Sequence, residues 1–114
     1  MIKALFAAID CKDVDRFLAF ISPKCLFRFG NQPFVTGSQN IREYICNFFA
    51  SIDTLQHEIV NHVEIPGGVV CHGYVTYTRF DGSVLKVPFA NIFKTESTGI
   101  VEYLIFADTS QLYS

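Results

Sequence analysis

Apolar positions recur at helical spacing through the first half of the chain and at strand spacing through the second. Over residues 13–21, Val14, Phe17, Leu18 and Ile21 fall at i, i+3, i+4 and i+7, which predicts an amphipathic helix ended by Ser22-Pro23. A shorter apolar helix is predicted over 2–9, separated from it by Asp10 and Asp13, both capping candidates. A third follows Gly37, with Ser38 as N-cap and Ile41, Tyr44, Ile45, Phe48 and Ile52 along one face. Between the second and third helices, residues 25–29 and 33–36 flank Gly30-Asn31-Gln32 and read as a short hairpin.

The second half reads as four long strands, over 55–65, 69–80, 83–94 and 100–108, separated by Pro66-Gly67, Asp81-Gly82 and Thr98-Gly99. This is an antiparallel meander. Helices first and one large sheet after define an α+β architecture in which the helices cover one face. No repeat, linker or low-complexity segment interrupts it, so a single domain over 1–114 is expected.

Composition adds a question. Half of the residues are hydrophobic, 12 of them Phe, while only 18% are charged, against about 25% charged in an average globular domain. That surplus has three outlets: a membrane, a subunit interface or an apolar ligand cavity. A span needs about 18 consecutive apolar residues, and the longest runs here are a handful, which argues against a membrane partner. The apolar stretch at the N-terminus is too short for a secretory core and is read as a helix, so a cytoplasmic location is expected. A formal net charge of −2 gives no basic footprint for nucleic acid. Cys11, Cys25, Cys46 and Cys71 show neither CxxC nor zinc-finger spacing and read as buried reduced thiols in preference to disulfides, with no metal site.

Taking the turns as two-residue connections sets the expected register, and register decides which side chains share a face. Three rows then cross one face: His57, Thr76, Val87 and Asp108; Ile59, Tyr74, Phe89 and Phe106; Asn61, His72, Asn91 and Leu104. Isolated polar groups among rings and aliphatics are what a pocket for a hydrophobic small molecule needs. The opposite face, with Val69, Cys71, Val75, Tyr77, Ala90, Ile92, Val101, Tyr103 and Ile105, is also apolar, and a homodimer through that outer face is expected.

The run Arg28-Phe-Gly-Asn31, Pro33, Gly37 and Ile41-Arg-Glu-Tyr44, the alternation His57-x-Ile-x-Asn61, Tyr77-Thr-Arg-Phe-Asp81-Gly82, Pro88-Phe-Ala-Asn-Ile-Phe and Asp108-Thr-Ser-Gln-Leu112 together resemble SnoaL-like proteins of the nuclear transport factor 2-like superfamily. The resemblance spans nearly the whole chain. It implies a cystatin-like, cone-shaped barrel in which a strongly curved, mostly antiparallel sheet wraps three N-terminal helices around an apolar pocket, usually in a dimer. Polyketide cyclases, ketosteroid isomerase, limonene epoxide hydrolase and scytalone dehydratase share that cone. The isomerase's base, acid and tyrosine positions fall near Phe29 or Gly30, Asn91 and Leu5, so its catalytic set is not retained. The acid/base Asp of the polyketide cyclases falls near Asp108.

Asp108 is therefore the first catalytic candidate, a carboxylate expected to gain basicity in an apolar cavity; the alternatives are a strand-end cap or a partner of Arg28. His57 is the second, as a proton-transfer group facing Asp108 across the cavity or as a hydrogen-bonded structural residue. Asn61, His72 and Asn91 form a polar knot able to hold a ligand carbonyl or satisfy itself. Tyr44 and Tyr74 offer phenols, Phe89, Leu104 and Phe106 offer wall, and Arg28 offers an anion partner or a surface charge. The expected chemistry is cofactor-independent acid/base catalysis of a cyclisation, isomerisation or hydration, and the rival expectation is a binding module without catalysis.

Overall fold

The structure, a computed structural model, describes residues 1–113. Helix α1 (Ile2–Asp10) buries Ile2, Leu5, Phe6, Ala8 and Ile9. Its end is a Schellman turn: Asp13 N–H donates to Ala8 O and Lys12 N–H to Ile9 O, with Lys12 in the left-handed region at φ 55°. The Lys12 ammonium, reaching the Ile52 carbonyl at 2.6 Å, ties that turn to the end of the third helix. Helix α2 (Val14–Leu18) is capped by the Asp13 carboxylate, which accepts from Arg16 N–H at 3.1 Å. It is shorter than the apolar period suggests. Ile21 continues the helical spacing, yet it opens strand β1 (Ile21–Phe29), because Phe20 O accepts from Ile100 N–H at 2.8 Å and Ile21 pairs with Ile100.

Strand β2 (Val35–Thr36) completes the expected short hairpin with β1. Helix α3 (Ser38–Ala50) follows; its N-cap is Gly37 at φ 87°, one residue before the expected Ser38. Ile41, Ile45 and Phe49 are its buried face. Then come β3 (Thr54–Ile65), β4 (Gly68–Thr78), β5 (Val84–Glu96) and β6 (Gly99–Ala107). They form a curved six-stranded sheet ordered β2-β1-β6-β5-β4-β3, antiparallel throughout except for β1 beside β6. The sheet wraps the helices and stays open between β2 and β3 rather than closing into a barrel.

Three one-residue events decide which side chains face the helices. Pro66-Gly67 is the expected two-residue turn, pairing Ile65 with Gly68, but Val60 is an extra residue in β3. Beyond that bulge His57 lies opposite Val75, not Thr76. At the next hairpin Gly82 N–H donates to Arg79 O while Arg79 N–H donates to Ser83 O, so Phe80, Asp81 and Gly82 make a three-residue loop with Gly82 at φ 87°. Tyr74 consequently pairs with Pro88 rather than Phe89, and His72 with Ala90 rather than Asn91. A second bulge, at Val101, leaves Phe89 opposite Ala107 and Asn91 opposite Ile105.

The concave face therefore carries Leu55, His57 and Ile59, then Cys71, Gly73, Val75 and Tyr77, then Val87, Phe89, Asn91 and Phe93, then Tyr103, Ile105 and Ala107. Cys71, Val75, Tyr77, Tyr103 and Ile105, expected on the outer face, lie on this inner one. Tyr77 meets Phe48 of α3 edge-on at 6.0 Å between ring centroids. Tyr103 sits 4.6 Å from Phe93, 5.2 Å from Phe27 and 6.0 Å from Phe17 between ring centroids, and each such aromatic contributes about 1.5–3 kcal/mol by burial.

The Val60 bulge rests on Gly73. A methyl group at position 73 would overlap the Glu58 carbonyl and come within 3.0 Å of Val60 N, all backbone atoms that cannot rotate away. Gly82 has open space around its Cα and needs only its positive φ. Gly73→Ala is expected to lower unfolding free energy by on the order of 3 kcal/mol, and Gly82→Ala by about 1 kcal/mol; denaturant midpoints of the two variants check the ranking.

Candidate functional site

Between the concave face and the helices lies a cavity walled by Ile9, Phe17, Phe27, Phe49, Leu55 and Phe89, among others. Its volume is about 40 Å³, room for a few waters and no more. Four polar residues enter this wall: His57, Tyr77, Asn91 and Tyr103.

His57 is clamped at two points by Asp10. The Asp10 carboxylate accepts from the His57 backbone N–H at 2.9 Å through Oδ2 and meets Nδ1 at 2.6 Å through Oδ1. A carboxylate only accepts, so Nδ1 carries the proton and the nitrogen left for chemistry is Nε2. The imidazole is braced by Phe6 at 4.7 Å and, edge-on, Phe89 at 5.2 Å. Its side chain is 11% exposed. The fold thus holds one ring nitrogen on a carboxylate in an imidazole that lines the apolar cavity, a pairing that can orient a general base.

Asn91 is 2% exposed and its Oδ1 has no hydrogen-bond partner among the described residues. An unpaired buried amide oxygen costs about 1–3 kcal/mol, so this group is positioned to bond something that enters the cavity. Burial raises the phenols of Tyr77 and Tyr103 above their ordinary range, with neighbouring Tyr113 and Tyr44 adding to the first and Cys71, Cys25 and Tyr77 to the second. Both hydroxyls stay protonated and can donate.

The reversed faces of β4 and β6 displace most other candidates. His72 and Tyr74 are exposed on the convex side, Tyr74 with Lys86 Nζ 5.0 Å above its ring. Leu104 and Phe106 lie on that side too, and Asn61, beyond the Val60 bulge, pairs with His72 there. The expected knot of Asn61, His72 and Asn91 therefore does not form. Asp108 follows β6 and is exposed; its Oδ1 accepts from Ser110 N–H at 3.0 Å, and the Ser110 backbone and hydroxyl hold it below the usual carboxylate range. That is a turn cap, opposite in direction to the raised carboxyl a general acid needs. Arg28 donates to Gln32 O at 3.1 Å and stacks over Phe34 at 5.1 Å, apart from Asp108. Tyr44 packs against Phe27 at 5.4 Å beside a neighbouring depression rather than in the cavity wall. Phe89, Asn91 and His57 remain together. No group of three His, Cys, Asp or Glu among the described residues could hold a metal, and no helix among them is long and apolar enough to cross a membrane.

Asp10, read from the pattern as a helix-capping candidate, is the partner of His57 instead. The only hint in the chain is that a carboxylate at the C-terminal end of a helix opposes the helix dipole, a cost of about 0.3–1 kcal/mol that a partner offsets.

A curved six-stranded sheet packed on helices around a small apolar cavity with isolated polar groups is an α+β, cystatin-like fold. The chain is a member of the SnoaL-like family, whose domain profile matches residues 2–103. Its fold is similar to that of an NTF2-like protein of unknown function from Burkholderia pseudomallei, at TM-score 0.87 and 15% identity over 97% of this chain and 90% of that one. It is also similar to a putative SnoaL-like polyketide cyclase from Jannaschia sp., at TM-score 0.83 and 17% identity over 98% and 85%. TerC, crystallised with polyporic acid, gives TM-score 0.84 and 16% identity over 98% and 92%. No curated protein matches the sequence significantly.

The thiols supply a pH test of this interior. Burial pushes Cys25 up to about 12, with Glu102 adding to the shift, and Cys71 up to about 11, against a small opposing contribution from the Asn91 backbone. In the unfolded chain both ionise near 9.0. Raised values mean that their share of stability is complete below pH 9 and is lost as the pH climbs through 11 and 12. Denaturation midpoints should fall over that window. Cys11 and Cys46, expected to be buried, are exposed, so near pH 8 a thiol reagent should titrate them rapidly and reach the buried pair only after unfolding.

Proposed function

We propose that the protein is a cofactor-independent acid/base enzyme for a hydrophobic cyclic small molecule, with His57 Nε2 as the proton-transfer group. The observation that carries this reading is the Asp10 clamp, which fixes the ring, sets its tautomer and stabilises the imidazolium formed when Nε2 takes a proton. Asn91, Tyr77 and Tyr103 are the groups available to bond the oxygen on which charge develops. The reaction begins with Nε2 removing a proton beside a carbonyl, the negative charge passing to the carbonyl oxygen. Return of that proton to another atom of the ligand gives isomerisation; expulsion of a β-hydroxyl by the enolate, the leaving oxygen taking the proton from Nε2 and departing as water, gives dehydration. The fold shared with a putative polyketide cyclase and with TerC agrees with a ring-sized oxygenated ligand, for which the cavity of about 40 Å³ must widen on binding.

Proton abstraction can be read without knowing the product. Cyclic ketones and enones incubated with the protein in deuterated water should exchange their α-hydrogens, measured by mass spectrometry. His57→Gln should slow that exchange at least 100-fold, Asp10→Asn should slow it by a comparable factor through the wrong tautomer, and Asp108→Asn should leave it unchanged. Ligands that bind without exchange in the unmodified protein would instead establish a binding module.

The same reading includes a second copy of the chain over the convex face. Phe106 and Tyr74 are 53% and 42% exposed there, in a band with Pro88, Ala90, Ile92 and Leu104. Charged pairs frame the band, Lys86 with Glu58 at one end and Lys94 with Glu102 at the other, giving the apolar centre and polar rim of an interface. Light scattering should give twice the chain mass at micromolar concentration, and Phe106→Asp should give a folded monomer.

A further inference from the structure

Asn91 stands near the middle of β5, paired through its backbone with Cys71 on one side and Ile105 on the other. A mid-strand amide has no helix end or turn to cap, which is the usual work of an asparagine, and the residue is depleted in strands. Its neighbours along the concave face of β5 are Phe89 and Phe93, both buried. The side chain is itself buried, lines the central cavity, and leaves Oδ1 without a hydrogen-bond partner among the described residues. The phenols of Tyr77 and Tyr103 and the imidazole of His57 line the same cavity, yet none of them donates to Oδ1. The wall does not complete its own bonding.

The chemistry of the missing partner follows from the atom. An amide oxygen has lone pairs and no hydrogen, so it accepts a hydrogen bond and repels an oxyanion. A carbonyl on which charge develops falls to the donors of the wall, the two phenolic hydroxyls and the Asn91 Nδ2. Oδ1 calls for a second, neutral group on the ligand that carries a hydrogen.

We propose that Asn91 makes the cavity selective for ring compounds bearing a neutral hydrogen-bond donor, a hydroxyl or an amine N–H, which Oδ1 accepts. This rests on the central cavity being the ligand site, and it is independent of whether proton transfer follows. A ring with a hydroxyl gives up a bond to water on entering and regains one at Oδ1, whereas the same ring without the hydroxyl leaves Oδ1 unpaired. Sites built to bond a ligand O–H or N–H reject the analogue that lacks it far more strongly than an apolar wall rejects a change of size. In a wall without the acceptor the order reverses, because the donor would then be buried unpaired.

Phenol, aniline, anisole and toluene are ring probes that carry, in turn, an O–H donor, an N–H donor, an acceptor alone and neither. Titration followed by nuclear magnetic resonance at the His57 ring protons gives their dissociation constants and places them at the cavity. In the unaltered protein phenol or aniline should bind at least 10-fold more tightly than anisole and toluene, and the tighter of the two identifies the donor as hydroxyl or amine. Asn91→Val and Asn91→Leu, which remove the acceptor at two sizes, should reverse the order, so that toluene binds more tightly than phenol or aniline. Both variants should unfold at a urea concentration no lower than that of the unaltered protein, since each takes an unpaired polar atom out of an apolar row.

The proposal is overturned if toluene binds the unaltered protein as tightly as phenol and aniline, or if the donor preference survives in both variants. Anisole binding as tightly as phenol overturns it too, because Nδ2 would then be the reading group. A lower unfolding midpoint in both variants also overturns it, since the amide would then hold the fold rather than the ligand. Failure of all four probes to bind would remove the cavity as the ligand site and the proposal with it. The expected order of binding without deuterium exchange would sink the proton-transfer reading alone.

Discussion

The close approach of β3 to Gly73 is the constraint on which the rest of the architecture depends. A sheet of regular strands twists but does not bend sharply, and bending requires an extra residue on one strand. Val60 supplies that residue, and Gly73 leaves room for the displaced backbone of Glu58 and Val60. Because the bend falls between the base of β3 and its outer end, Leu55, His57 and Ile59 turn toward the helices while the outer hairpin runs into solvent. The curvature that makes a cavity and the orientation of its histidine share one cause.

Within that curve the chemistry is economical in charge. A carboxylate at the C-terminal end of α1 and an imidazole among phenyl rings would each be unfavourable alone. Together they satisfy the Asp10 oxygens, the His57 backbone N–H and one ring nitrogen. This pairing also docks the first helix to the edge strand of the sheet, so the group that orients the ring also helps position the wall of the cavity. Asn91 contrasts with it. The fold completes the bonding of His57 at Nδ1 and leaves Asn91 Oδ1 without a partner, a division of labour between a group that is held and a group that waits.

Element type was legible in the chain because period carries it: three helices, a short hairpin and four long strands follow from spacing and turn residues alone. Facing was legible only in part. The Pro66-Gly67 turn is as expected, but Asp81-Gly82 serves a three-residue loop, with glycine as the bulge residue rather than a central turn residue. The Val60 bulge and this loop each shift register by one and cancel at β5, which is why Phe89 and Asn91 face inward as expected. Between them β4 is inverted, carrying His72 and Tyr74 outward. The Val101 bulge inverts β6, and Asp108 goes with it. Bulges lie in runs of β-branched residues with no turn signal, so periodicity cannot reveal them. The Asp10–His57 pairing was hidden for a different reason: it spans 47 residues and depends on where α1 docks.

The parallel pairing of β1 with β6 has a consequence for how the chain reaches this state. Ile21 meets Ile100 and Phe27 meets Tyr103, so the first strand finds its place only after the last one exists. The meander from β3 to β6 can assemble through neighbouring hairpins, whereas β1 must wait with its aromatic side chains unpaired. Closing so long a loop is entropically costly and slow. During synthesis the two leading helices and their apolar faces emerge well before the surface that buries them. The earliest strand to be synthesised thus depends on the latest for its pairing, and until β6 exists the phenylalanines of β1 lack the surface that buries them.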